Sequence, residues 1–188
     1  NNLDDSIGQT STGVLSNLVS SINTTSTVNV MMVSRFTGVN ANGTQGSSLY
    51  PANATRDSLF GNTGNHSGLS NIFPRFKLTG LDPATVYSFT FYASRTGVSD
   101  NREAGYTVTG GNSGFVALDA ANNIDQTASV ANITPDAAGE ISIAMDPTAN
   151  NNNSVKYTYL GVLRVDALPP QTPLAFTQEP VSQKAVQL

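Results

Sequence analysis

Residues 86–110, VYSFTFYASRTGVSDNREAGYTVTG, constrain the fold more than any other stretch of this chain. Tyr87, Phe89, Phe91 and Ala93 fall on one face of an alternating run, and Ser88, Thr90, Tyr92 and Ser94 on the other. A period of two built from aromatic and β-branched residues is that of a strand with one buried face. A polar loop over 95–104 follows, and then a second alternating run at 106–110. Two strands around a loop this rich in charge predict a β-sandwich with a functional or bracing feature at one end.

The rest of the chain repeats the pattern. Strands are expected at 26–34, at 72–78 with Pro74 marking an edge or bulge, at 115–118, 127–133 and 140–145, and at 155–167. In the last of these Tyr157, Tyr159, Gly161, Leu163 and Val165 should share a face. Turns fall at 79–83, where Gly80 permits positive φ and Asp82-Pro83 starts a bend, and at 135–139. Only residues 14–22 hint at a helix, of two or three turns. The fold class is therefore all-β, an antiparallel β-sandwich of jelly-roll type.

Composition narrows the functional classes. Charged residues make up 12% of the 188 and the net charge is −4, so solubility rests on Asn, Ser, Thr and Gly. With no basic run, nucleic acid and anionic membrane surfaces are poor partners. No stretch approaches the roughly 18 consecutive apolar residues of a membrane span, so no membrane insertion is expected. Residues 1–5 lack a basic or apolar leader segment, and the terminus reads as mature or trimmed. Cysteine is absent, which excludes disulfides and thiol chemistry and suits a large extracellular domain held by its core alone.

The tail changes character at Leu168-Pro169-Pro170-Gln171-Thr172-Pro173, a semi-rigid, proline-spaced linker. The expected division is a sandwich over 1–167, and over 168–188 a linker with the opening strand of a following immunoglobulin-like module. The motifs Leu78-Thr-Gly-Leu-Asp-Pro83, Tyr87-x-Phe-x-Phe-x-Ala-Ser-Arg95, Asp100-Asn-Arg102 and Tyr106-x-Val-x-Gly110 resemble accessory β-sandwich domains of secreted multimodular bacterial proteins. The closing Tyr159-Leu-Gly-Val-Leu163 is similar to the last strand of galactose-binding-like and malectin-like jelly rolls, with Gly161-Val162 where those have Asn-Ala. The resemblance implies a non-catalytic carbohydrate-binding or adhesive module, secreted or on a bacterial cell surface, with a polysaccharide or cell-surface glycan as partner beside neighbouring modules. The alternative is a structural spacer with no small ligand.

Candidate ligand-binding residues follow from charge and aromaticity. Arg95, Asp100, Arg102 and Glu103 gather much of the chain's scarce charge into one loop. They either brace a hairpin through ion pairs or hold sugar hydroxyls or a uronate carboxylate through forked hydrogen bonds. A sugar's apolar face stacks on aromatic rings. With Trp absent, the candidate rings are Tyr50, Phe60, Phe73, Tyr92 and Phe115, and Tyr50 lies in a long connection over 38–68.

Two further constellations carry groups with possible chemistry. Asp119, Asn122, Asn123 and Asp125 offer oxygen ligands for a structural Ca2+, although Asp/Asn clusters also form plain turns. Arg56-Asp57-Ser58-Leu59 echoes the Gly-Asp-Ser-Leu block of SGNH esterases. Such chemistry needs a histidine base oriented by an acid, and the single histidine, His66, lies only eight residues beyond Ser58. The chain is expected not to be an enzyme.

Overall fold

The computed structural model describes residues 1–168. Along the chain lie helix α1 (Asp5–Gly8), strands β1 (Val14–Leu15), β2 (Asn29–Ser34) and β3 (Gly38–Asn40), helix α2 (Ala52–Arg56), and strands β4 (Ser58–Gly61) and β5 (Arg75–Thr79). Then come β6 (Val86–Tyr92), β7 (Glu103–Thr109), β8 (Ser113–Asp119), β9 (Ala128–Ile133), β10 (Ile141–Pro147), β11 (Thr158–Leu160) and β12 (Val162–Leu168). The linker and following module expected beyond Leu168 lie outside the described residues.

The protein is an antiparallel β-sandwich. One layer is a six-stranded sheet in the order β1-β2-β5-β10-β7-β8; the other comprises β12-β6-β9 and β11-β4-β3. Alternation in β6 works as the sequence implies: Tyr87, Phe89 and Phe91 point inward and are buried. Inward-facing Tyr106 and Val108 of β7, with Ile141, Ile143 and Met145 of β10, meet them from the six-stranded sheet. The Phe91 and Tyr106 rings stack across the layers with centroids 4.3 Å apart. Burying this apolar surface is the main drive to fold, at about 25 cal/mol per Å².

Gly80 takes φ 74° in the turn before β6, and a Cβ there would sit 2.3 Å from the Thr27 carbonyl oxygen, so only glycine fits. Among the described residues no helix is long and apolar enough to cross a membrane.

Four local expectations need correction. Residues 14–22 are not helical. Asn17 sits at φ 55°, and Leu18 exchanges backbone bonds with Val28 and Ser26, so the segment extends along its neighbour. The strand expected over 72–78 begins only at Arg75; Ile72, ahead of Pro74, pairs instead with Asn62. The strand expected over 155–167 is broken at Gly161, whose N–H donates to the Tyr92 carbonyl at 2.9 Å. A Cβ at Gly161 would lie 3.3 Å from that same oxygen. This close approach sends β11 to pair with β4 and β12 to pair with β6. Finally, Tyr92 belongs to the outward set by alternation yet is fully buried, because the connection carrying Tyr50 covers it. That connection is not structureless: it holds β3, α2 and β4, and it seats Phe60 in the core.

Candidate functional site

The loops around 61–69, 95–102 and 148–157 meet at one end of the sandwich, where Arg102 is the hub. It stands immediately before β7, and its backbone N–H donates to Asp119 Oδ1 at 2.8 Å. Its guanidinium folds back on Asp100, Nε donating to Oδ1 at 3.0 Å, while Nη1 donates to the Tyr159 hydroxyl at 2.6 Å. The guanidinium carbon lies 5.3 Å from the Tyr157 ring centroid and 5.9 Å from that of Tyr159, within cation–π range. Only 11% of the Arg102 side chain is exposed, against 27% for Asp100.

The aromatic wall continues outward. The Tyr157 hydroxyl and His66 Nδ1 share a hydrogen bond of 2.7 Å, and Phe60 meets both rings edge-on. Asn153, buried in the last loop, donates to the Asp100 carboxylate. Neighbouring Asn151 is fully buried and donates to the Glu103 and Tyr157 carbonyls, tying that loop to β7.

Charge states follow from these contacts. Burial opposes ionisation of Asp100, but the hydrogen bonds from Arg102 and Asn153 prevail and hold its carboxyl below the ordinary value. Burial likewise works against the Arg102 cation, and its bonds to Asp100 and Tyr159 more than offset that, raising its pKa. Burial pushes the Tyr159 phenol up, with the nearby charges of Arg102 and Arg95 pulling the other way. At neutral pH the site is an ion pair beside the neutral Tyr159 phenol.

The candidates named from sequence divide. Asp100 and Arg102 are joined, and Arg95 approaches the same site. The Arg95 N–H donates to the Ala120 carbonyl, and its Nη1 donates to the Thr96 carbonyl at 2.6 Å. Glu103 turns elsewhere: Oε1 accepts from Thr148 Oγ1 at 2.5 Å and from Asn150 Nδ2 at 3.0 Å. Tyr50 packs on Tyr92 with ring centroids 5.5 Å apart, in a neighbouring group. Sequence reasoning missed Tyr157, Tyr159, Asn153 and His66 as partners of this site. Alternation places the tyrosines on one face of a closing strand without naming a partner, and His66 stands in the sequence only as a candidate base too near Ser58.

The Asp119–Asp125 segment distributes its four side chains among different neighbours. Asp119 Oδ1 accepts from the Arg102 and Ala121 N–H groups, and Asn122 Oδ1 from those of Gly97 and Val98. Asn123 Oδ1 accepts from the Gln126 N–H, and Asp125 accepts from Ser47 and Ser48. A Ca2+ shell needs six to eight oxygens converging on one point, and each of these four side chains accepts from a different set of N–H and hydroxyl groups. Among the described residues no group of three or more His, Cys, Asp and Glu side chains is placed to hold a metal. Ser58 accepts from Asn40 at 3.1 Å, Asp57 pairs with Arg56, and His66 bonds Tyr157, so no nucleophile–base pair is formed there.

No family model matches the chain, and no curated protein does. Among solved structures it is similar to the carbohydrate-binding module TmCBM61, determined in complex with β-1,4-galactotriose. The TM-score is 0.42, with 13% identity, over 74% of this chain and 87% of that one. A likeness this distant leaves the question of function to the residues themselves.

Proposed function

We propose that this domain is a non-catalytic carbohydrate-binding module of an exported bacterial protein, holding a sugar at the loop end of the sandwich. The observation that carries the reading is the seating of Arg102 among Tyr157, Tyr159 and Asp100. Aromatic faces, a forked cation and a carboxylate are the groups that recognise sugar C–H faces and hydroxyls. Because second contacts lock the cluster, binding there costs little ordering entropy. Arg95 beside it adds a cation suited to a uronate carboxylate. Low charge, abundant Asn and Thr and the absence of Cys support the exported setting, with further modules in the same chain.

The competing reading is a spacer in which the same cluster only braces loops, and the slight exposure of Arg102 favours it. Screening against a glycan array, followed by affinity electrophoresis, separates the two. Retention by a glycan that weakens in Arg102→Lys, measured at a temperature where the variant remains folded, supports recognition. Silence across neutral and acidic glycans leaves the brace.

A further inference from the structure

The outer face of the six-stranded sheet, away from the loop end, has an unusual cross-section. Across the strands Arg75, Ala144, Thr107 and Phe115 stand in one row, and Lys77, Ser142, Thr109 and Ser113 in the next. The two central strands, β10 and β7, therefore present only small side chains, and Gly105 extends that floor along β7. Long side chains rise on either side: Arg75 and Lys77 from β5, and Phe115 from β8. The strands that bear them, β5 and β8, stand three intervals apart, about 14 Å, and the Phe115 ring leans inward over Gly105 of β7. The floor holds a depression of about 230 Å3 lined by residues including Val33, Arg75, Thr107 and Ala144.

Phe115 is the unexplained member. It is 64% exposed, on the outer face of the edge strand β8. Its ring lies against the backbone of Gly105, so closely that a Cβ there would come within 2.6 Å of Cε2. The glycine seats the ring while leaving most of it open to solvent. The charged walls are already neutralised, Arg75 by Asp146 at 2.7 Å and Lys77 by Glu140 at 2.7 Å.

From this geometry we infer that the trough is a second binding surface, for an extended segment of a neutral polysaccharide. The face of Phe115 supplies the platform for a pyranose C–H face. Thr107, Thr109 and Ser142 supply hydroxyls that both donate and accept, matching sugar hydroxyls in either sense. The compensated charges select against an anionic polymer or a membrane surface, either of which needs free cations. A floor of small residues flanked by only two exposed large apolar side chains, Phe115 and Val33, gives a protein partner little apolar core to bury. This inference rests on the domain being a glycan binder, but it assigns the contact to a different face.

The test is affinity electrophoresis of the whole 188-residue chain through gels cast with xyloglucan, β-1,3-glucan, β-1,4-galactan or polygalacturonate. The expected result is retardation by a neutral polymer, weakened about tenfold in Phe115→Ala and, independently, in Ala144→Lys, which fills the floor. Both variants should melt as the parent does, since Phe115 is exposed and the lysine can reach solvent. Neutral-polymer retardation that both variants retain overturns the sheet-face site while leaving the domain a glycan binder. Retardation by polygalacturonate alone, sensitive to Arg102→Lys, also overturns it. No retardation by any polymer overturns the trough and the carbohydrate reading together.

Discussion

Arg102 and Tyr159, fifty-seven residues apart, are joined by a 2.6 Å hydrogen bond from guanidinium Nη1 to the phenol oxygen. That bond ties the loop entering β7 to β11. Through Asp100 and Asn153 the tie extends to the adjoining loop, so three separate segments are held in one arrangement.

Tyr159→Phe keeps the ring and removes the hydroxyl acceptor. It should cost about 1.5–3 kcal/mol, the range for a hydrogen bond to a charged group, because Arg102 is largely buried. Urea denaturation checks this. A loss within a few tenths of a kcal/mol would show that water replaces the phenol and that the bond does not hold the loops.

Phe89 is fully buried at the centre of β6, so Phe89→Ala should cost about 3–5 kcal/mol through lost burial and the cavity left behind. A thermal melt displaced by only a degree or two would place that face in solvent and contradict the sandwich register.

The Asp100 carboxyl has its pKa lowered in the folded state. A depressed carboxylate contributes stability that is complete above the unfolded value, about 3.9, and lost as pH falls through the lower native value. Asp100→Asn should therefore reduce stability at neutral pH and flatten its dependence on pH below about 4. Denaturation at stepped pH measures the slope; identical slopes in parent and variant would remove Asp100 from the acid response.

In the Asp119–Asp125 segment the side-chain oxygens are already engaged with backbone and serine donors. EDTA should leave the melting temperature unchanged and added Ca2+ should not raise it. A ligand bound only by the native state would stabilise it by mass action, so a drop with EDTA that Ca2+ reverses would establish a site that these contacts do not suggest.

The parts of the fold visible in the sequence are those governed by local pattern. Phe89 and Phe91 declare their face by alternation alone, and Gly80 declares its turn because only a residue free of Cβ fits beside Thr27. Gly161 gives no such signal. Its break in the closing strand goes with a bond to the carbonyl of Tyr92, on a strand distant in sequence, and with backbone packed close about its Cα. The site was half legible for the same reason. Asp100 and Arg102 are neighbours in sequence, so their pairing could be read there. Tyr157, Tyr159 and His66 reach them only once β4, β7 and β11 are assembled, and no spacing in the chain encodes that meeting. Phe115 was one ring among several candidates until Gly105 showed what holds it in place.

Recognition at the loop end is tested most directly by calorimetric titration of the intact domain with the glycan that an array selects. A saturable heat is expected, with affinity falling about tenfold or more in Arg102→Lys, which keeps the charge but loses the fork, measured at a temperature where circular dichroism shows the variant folded. Absence of heat with every glycan tested, or unchanged affinity in the Arg102→Lys domain, would contradict recognition at the loop end.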